Sequence, residues 1–255
     1  MDSKSIDSYG THAPKQEWID QFVKYKEDFF TEHTLGKVEI PMFRKFLRDC
    51  GLIGIKNEFN DLTRMFFDSP QSEVLWAIIF TNLSYSPEIG WLVRYLDFDV
   101  EYRQTEIRDE LKNFTASKTG PQNIANSYRR ISLLPINDLG FGNSFKADTK
   151  EDKFVIIRKS WSTPDPRVIL YSLYKFAENC GDYYQFSLTT LLDDTIERDG
   201  ISPTRIFGLD RETMVPMLNG LSVNYSEFIN ASFTLGLDTI NLRPDKTSED
   251  VLSLF

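Results

Sequence analysis

The order of signals in the last third of the chain constrains its fold more than any other feature. After Trp161-Ser-Thr-Pro-Asp-Pro, a helix is predicted over 165–179, with Ile169, Leu173 and Phe176 on one face at helical spacing. Ser187 is a cap residue for a helix over 188–194, and Ser202-Pro203 starts another short one. Asp210 caps a helix over 211–221, in which Pro216 predicts a kink or an early break. Ala231–Thr234 and Thr239–Leu242, either side of a turn at Gly236, read as a hairpin. Helix, short helices, helix and hairpin is the order of a winged-helix module, which reads nucleic acid or protein and seldom houses an active site.

At 255 residues the chain has room for one large domain or two or three small modules. Apolar residues make up 41% and aromatics 14%, so ring packing dominates its core. The most apolar run, Val74-Leu-Trp-Ala-Ile-Ile-Phe, stops at Thr81-Asn82, far short of the roughly 18 residues of a membrane span. It reads as a buried helix, and no membrane partner is expected. The N-terminus lacks the apolar centre of a signal peptide. Cys50 and Cys180 give no disulfide or metal spacing, so a reducing cytoplasm is the expected compartment. A net charge of −9 argues against a nonspecific coater of DNA, whose affinity would come from Lys and Arg neutralising phosphates. Local basic patches on an acidic body stay possible, as does docking onto a basic partner.

Residues 1–14 read as a flexible tail. Trp18, Phe22, Tyr25 and Phe29 then recur about one turn apart and predict a first amphipathic helix. Pro41 opens a second helix over 42–49, and Gly51 stands where a left-handed cap is expected, with a wing strand to follow. Residues 15–67 could thus be a small helical or winged module. Two buried helices are expected over 71–96, separated at Ser84-Tyr-Ser-Pro87, with Trp76 and Trp91 as core anchors.

Ile107, Leu111 and Phe114 predict a helix over 103–114. A turn of small residues, Thr115-Ala-Ser-Lys-Thr-Gly120, leads to a second helix over 121–133 with Ile124, Tyr128 and Ile131 inward. This is a helix-turn-helix pattern. Residues 136–160 read as a connector ending in a strand, Lys153–Arg158. The fold expected is mainly α (α+β), with tandem winged-helix-like modules over 15–135 and 161–255 and small β-hairpins.

The outer face of helix 121–133 is the candidate DNA-binding surface. It carries Gln122, Asn123, Asn126, Arg129 and Arg130, with Lys118 and Thr119 at the helix start. Asn and Gln can pair with adenine, Arg with guanine or phosphate, and a helix start receives a phosphate. A solvated helix face or a protein interface explains the same residues. Arg205, Arg211, Arg243 and Lys246 could line a second surface. Interleaved Glu197, Asp199, Asp210, Glu212 and Asp245 favour ordinary surface pairing there.

Catalytic patterns are sparse. His12 and His33 are the only histidines, which argues against a zinc site or a Ser-His triad. Asp138, Glu151 and Lys153 loosely imitate the acidic-acidic-Lys spacing of metal-dependent nucleases, but they precede their strand instead of lying in it. Gly140-Phe-Gly142 has no Gly-Lys-Ser/Thr after it, so it is not a phosphate loop. No metal and no cofactor is expected. Both thiols stand at helix C-terminal ends, where the partial negative charge makes a poor nucleophile, and structural burial is expected for each.

Several strings carry a resemblance. They are Val168-Ile-Leu-Tyr-Ser-Leu-Tyr-Lys-Phe-Ala-Glu178, Gly200-Ile-Ser-Pro-Thr-Arg-Ile-Phe-Gly208, Leu218-Asn-Gly-Leu-Ser222 and Phe233-Thr-Leu-Gly-Leu-Asp-Thr-Ile-Asn-Leu242. With Trp76-Ala-Ile-Ile-Phe-Thr-Asn-Leu83 and Ser132-Leu-Leu-Pro135, they resemble an uncharacterised domain family over residues 35–255. That family is found beside, or fused to, phosphoadenosine-phosphosulfate-reductase-like enzymes in bacterial DNA phosphorothioation and phage-defence clusters. The resemblance brings no catalytic residue. It implies a DNA-binding, scaffolding partner subunit working with duplex DNA and a reductase-like sulfur-transfer protein. A DNA-nicking subunit of the same system, or a winged-helix transcriptional regulator, are the alternatives.

Overall fold

Helix α5, Glu73–Leu83, is apolar on every side, with Leu75, Trp76, Ala77, Ile78, Ile79, Phe80 and Leu83 all buried. A helix without a polar face has to be surrounded. The computed structural model describes residues 6, 9, 12–193, 198–234 and 237–255. The chain is mixed α/β, 52% helical and 12% strand, and divides into two units, Met1–Lys159 and Ser160–Phe255. The expected turn at Gly236, and Asp194 and Glu197, lie outside the described residues.

Ahead of α5 the first unit has α1 (Gln16–Tyr25), α2 (Phe29–Glu32), α3 (Glu39–Asp49) and α4 (Asp61–Asp68). Phe22 is the hub of their aromatic packing, with ring centroids 5.4 Å from Phe29, 5.9 Å from Phe59 and 4.9 Å from Phe67. The first two pairs are edge-to-face, a geometry that adds about 1 kcal/mol each beyond burial. Phe66 meets Trp76 of α5 at 5.3 Å. α3 starts at Glu39, earlier than expected from Pro41, because a proline in the first turn costs no helical hydrogen bond. The wing strand expected after Gly51 is absent: Ile53 makes only an isolated bridge to Phe59. Residues 15–67 are therefore helical, since their apolar positions recur with the helical period and not in alternation. Within the stretch expected to be a tail, Ile6, Tyr9 and Ala13 are buried.

After α5 come α6 (Pro87–Tyr95), β1 (Glu101–Arg103), α7 (Gln104–Leu111), α8 (Gly120–Ile131), β2 (Asn143–Lys146) and β3 (Phe154–Ile157). Arg103, expected to open α7, belongs to β1. The strands form one antiparallel sheet in the order β1-β3-β2, with Tyr102 and Ser144 both opposite Ile156. Residues 136–160, expected to be a connector ending in the strand 153–158, thus supply two of this sheet's strands, β2 in addition to the expected β3.

The second unit runs α9 (Pro166–Asn179), β4 (Gln185–Phe186), α10 (Leu188–Leu192), α11 (Pro203–Phe207), α12 (Arg211–Asn224), β5 (Ile229–Thr234), β6 (Leu237–Leu242) and α13 (Ser248–Val251). The caps read from the sequence form. Ser187 accepts from the Thr190 amide at 2.9 Å, Ser202 from Arg205 at 3.3 Å and Asp210 from Thr213 at 2.8 Å. The early break allowed for at Pro216 does not occur, and α12 continues to Asn224. Pro216 and Glu212, whose carbonyl it leaves without an amide, are both exposed to water. The sheet order is β4-β6-β5, again antiparallel. The first unit from α6 onward and the second unit thus share one order: a helix, a short strand, further helices, and two strands of which the last pairs with the first.

Candidate nucleic-acid interface

α7 and α8 meet across the turn 112–119, and Gly120 is what lets the turn close. A Cβ there would stand 2.7 Å from the Thr115 hydroxyl. Ile107, Leu111, Ile124, Tyr128 and Ile131 are buried between these helices and the rest of the unit, as their spacing predicts.

The seven residues expected to touch DNA separate into two groups. Lys118, Thr119 and Arg129 are exposed. Gln122, Asn123, Asn126 and Arg130 are half-buried. Gln122 Nε2 donates to Asn126 Oδ1 at 3.1 Å, and that oxygen also receives Gln104 Nε2 at 3.1 Å. Gln104 is buried, and its own oxygen accepts from the Lys153 amide at 3.1 Å. Beside it, the buried Asp152 accepts from the Thr105 amide at 2.8 Å. Burial alone would raise that carboxyl, but the Thr105 amide and the Thr105 and Thr149 hydroxyls hold it below the usual carboxylate range. Gln122 and Asn126 are therefore part of a brace that ties α8, through α7, to the start of β3.

The far end of α8 is tied to the hairpin as well. Ser132, its C-cap, donates to Ser144 of β2 at 2.8 Å. The hairpin carries exposed Lys146, Lys150 and Lys153 among exposed Asp148 and Glu151. Sequence reasoning missed this lysine group as a possible contact because the stretch read as a connector. Gln104 and Asp152 were missed because nothing in a helical period marks a residue that braces a neighbouring hairpin.

The nuclease-like triplet is dispersed among other contacts. Asp138 accepts from Asn143 Nδ2 at 2.8 Å, while Glu151 and Lys153 face solvent on the hairpin. Among the described residues no three His, Cys, Asp or Glu side chains are grouped to hold a metal ion. In the second unit, Arg211 pairs with Asp238 at 2.6 Å and Arg243 reaches the Ser226 carbonyl at 3.3 Å. Cys50 is buried, and burial, followed by the charge of Asp49, pushes its thiol up. Cys180 is half-buried.

By fold, then, this is a chain of two α/β units, each with a three-stranded antiparallel sheet. No protein-family model, curated protein or solved structure matches it. No described helix is long and apolar enough to cross a membrane.

Proposed function

We propose that the chain is a DNA-binding and scaffolding subunit of a bacterial DNA sulfur-modification or phage-defence system, built of two winged-helix-like modules. In this reading α8 is the reading helix of the first unit and the β2–β3 hairpin its wing. The observation that carries it is the junction of α8 with the hairpin. The Ser132–Ser144 bond ties the end of α8, one turn past exposed Arg129, to β2, which carries exposed Lys146, and the Gln104 brace ties α8 through α7 to the start of β3. Lys118 and Thr119 add a cation and a hydroxyl at the opposite end of α8, where phosphate is favoured. With Gln122 and Asn126 committed to the brace, backbone gripping outweighs base reading.

A salt series of duplex binding tests this. Lys118→Ala with Arg129→Ala should flatten the slope of log K against log salt by about two units, one for each phosphate released. An unchanged slope would move the contact elsewhere. The sulfur-modification setting and the reductase-like partner rest on the sequence resemblance alone. Co-purification of such a protein with the chain from its own host is the direct check.

A further inference from the structure

Helix α12 holds the same place in the second unit that α8 holds in the first, yet its surface has the opposite chemistry. Glu212, Pro216, Asn219 and Val223 are all exposed, at the four- and three-residue spacing that lines them up on one face. Val223 is 80% exposed, among the most open large apolar side chains described. Gly220 beside the row leaves it open, since a Cβ there would meet nothing within 4 Å. Arg211, the only cation on α12, is held by Asp238 at 2.6 Å. The face therefore has no cation to offer a phosphate.

The charge of the unit points the same way. Residues 160–255 hold 14 of the chain's 38 acidic residues but 7 of its 29 basic ones, which is −7 of the total −9. Several of those cations are engaged internally: Arg167 with Asp165 at 2.7 Å, Lys175 with Glu178 at 3.6 Å, and Arg198 with the Thr190 carbonyl at 2.7 Å. Exposed carboxylates stand at both ends of the row, Glu212 in its first turn and Glu227 just past its end.

We propose that the exposed face of α12 docks a partner protein through a basic, apolar-centred surface, and does not bind nucleic acid. A second copy of this chain fits poorly, because it would bring the same negative field to the contact. Pro216 and Val223 supply the desolvated centre, and Glu212 and Glu227 the polar rim. This goes beyond the DNA reading of the first unit and stands without it.

The experiment places photo-reactive benzoylphenylalanine at position 223 of the full chain in its own host and identifies the cross-linked peptide by mass spectrometry. The expected product is a peptide of another protein rich in Lys and Arg. Glu212→Lys with Glu227→Lys should lower its yield by about fivefold or more, because rim charges of the wrong sign slow encounter. Both sites are exposed, so the variant should keep the melting temperature of the parent. Cross-links to nucleic acid, to a second copy or to an acidic peptide would overturn the proposal, as would no cross-link or a yield indifferent to the charge reversal. Duplex binding of a Val223→Ser variant, which alters the α12 face without altering charge, keeps the two readings separate: it should match the parent, and a loss would place DNA on α12.

Discussion

Tyr128 of α8 donates its hydroxyl to the main-chain carbonyl of Glu88, 2.8 Å away in the buried first turn of α6. The same Glu88 accepts the Tyr9 amide on its carboxylate at 2.9 Å. One buried residue thus holds both the N-terminal segment and the candidate reading helix. Tyr9 is further fixed by its hydroxyl on Asp49 Oδ2 at 2.6 Å, with Lys45 on the same carboxylate.

These two tyrosines set an alkaline limit on stability. Burial, with the nearby carboxylates of Asp49 and Glu88 for Tyr9 and of Glu88 for Tyr128, pushes both phenols well above the ordinary value of about 10. A phenol raised in the folded state keeps its proton after the unfolded chain has lost it. The stabilisation is complete below about pH 10 and is lost as pH rises from there toward the folded values. Urea melts from pH 7 to 11 should show stability falling above pH 10. Tyr128→Phe should flatten that limb while lowering stability at pH 7 by about 1 kcal/mol through the lost hydrogen bond. An alkaline limb as steep in Tyr128→Phe as in the parent would show that the phenol does not contribute.

Helix positions were legible in the sequence because period and cap coincide there. Ser187, Ser202 and Asp210 each precede an apolar repeat, and each accepts the amide its type predicts. The sheet of the first unit was legible only at Phe154–Ile157, which is continuously apolar. β2, Asn143-Ser-Phe-Lys, has one apolar residue in four and forms because β3 offers it a ladder. Burial of Tyr9 was not legible either, since its anchors Asp49 and Glu88 lie 40 and 79 residues away. At the candidate site, residue type identified a polar helix face. It could not say which of its amides would turn inward to brace the hairpin.

Arg158, the residue after β3, is fully buried. Its Nε donates to the Gly140 carbonyl at 2.7 Å, and Nη1 to the carbonyls of Val93 and Leu96 at 2.9 and 2.8 Å. The guanidinium also lies 4.0 Å from the centre of the Phe98 ring. It therefore joins the C-terminal end of α6, where carbonyls carry partial negative charge, to the end of the central strand β3 and to Gly140. Arg158→Ala should cost about 3 kcal/mol or more, since three buried carbonyls lose a charged donor. Arg158→Lys should recover little of it, because one ammonium cannot span the geometry of the planar fork. Chemical denaturation of the two variants is the check. A lysine variant as stable as the parent would mean that charge, not the fork, holds this junction.

Gly51 closes α3 with φ at +73°, in the left-handed region. Its amide bonds the Arg48 carbonyl at 2.9 Å, and the Leu52 amide reaches back to Leu47 at 2.9 Å, so the last turn is satisfied by the chain itself. Space is as restricted as conformation. A Cβ on Gly51 would stand 2.5 Å from Asn82 Nδ2, and that amide donates to the Cys50 carbonyl at 3.0 Å. Gly51→Ala therefore has to strain the backbone and displace Asn82 from the cap of α3. The two effects together should cost about 2 kcal/mol. Asn82→Ala removes the obstructing amide and, alone, should cost about 1 kcal/mol for the lost bond. If the steric account holds, the double variant should be less destabilised than the sum of the two singles, because the alanine methyl then meets no amide. Additive costs in urea melts would leave the left-handed backbone as the whole reason for glycine at this position.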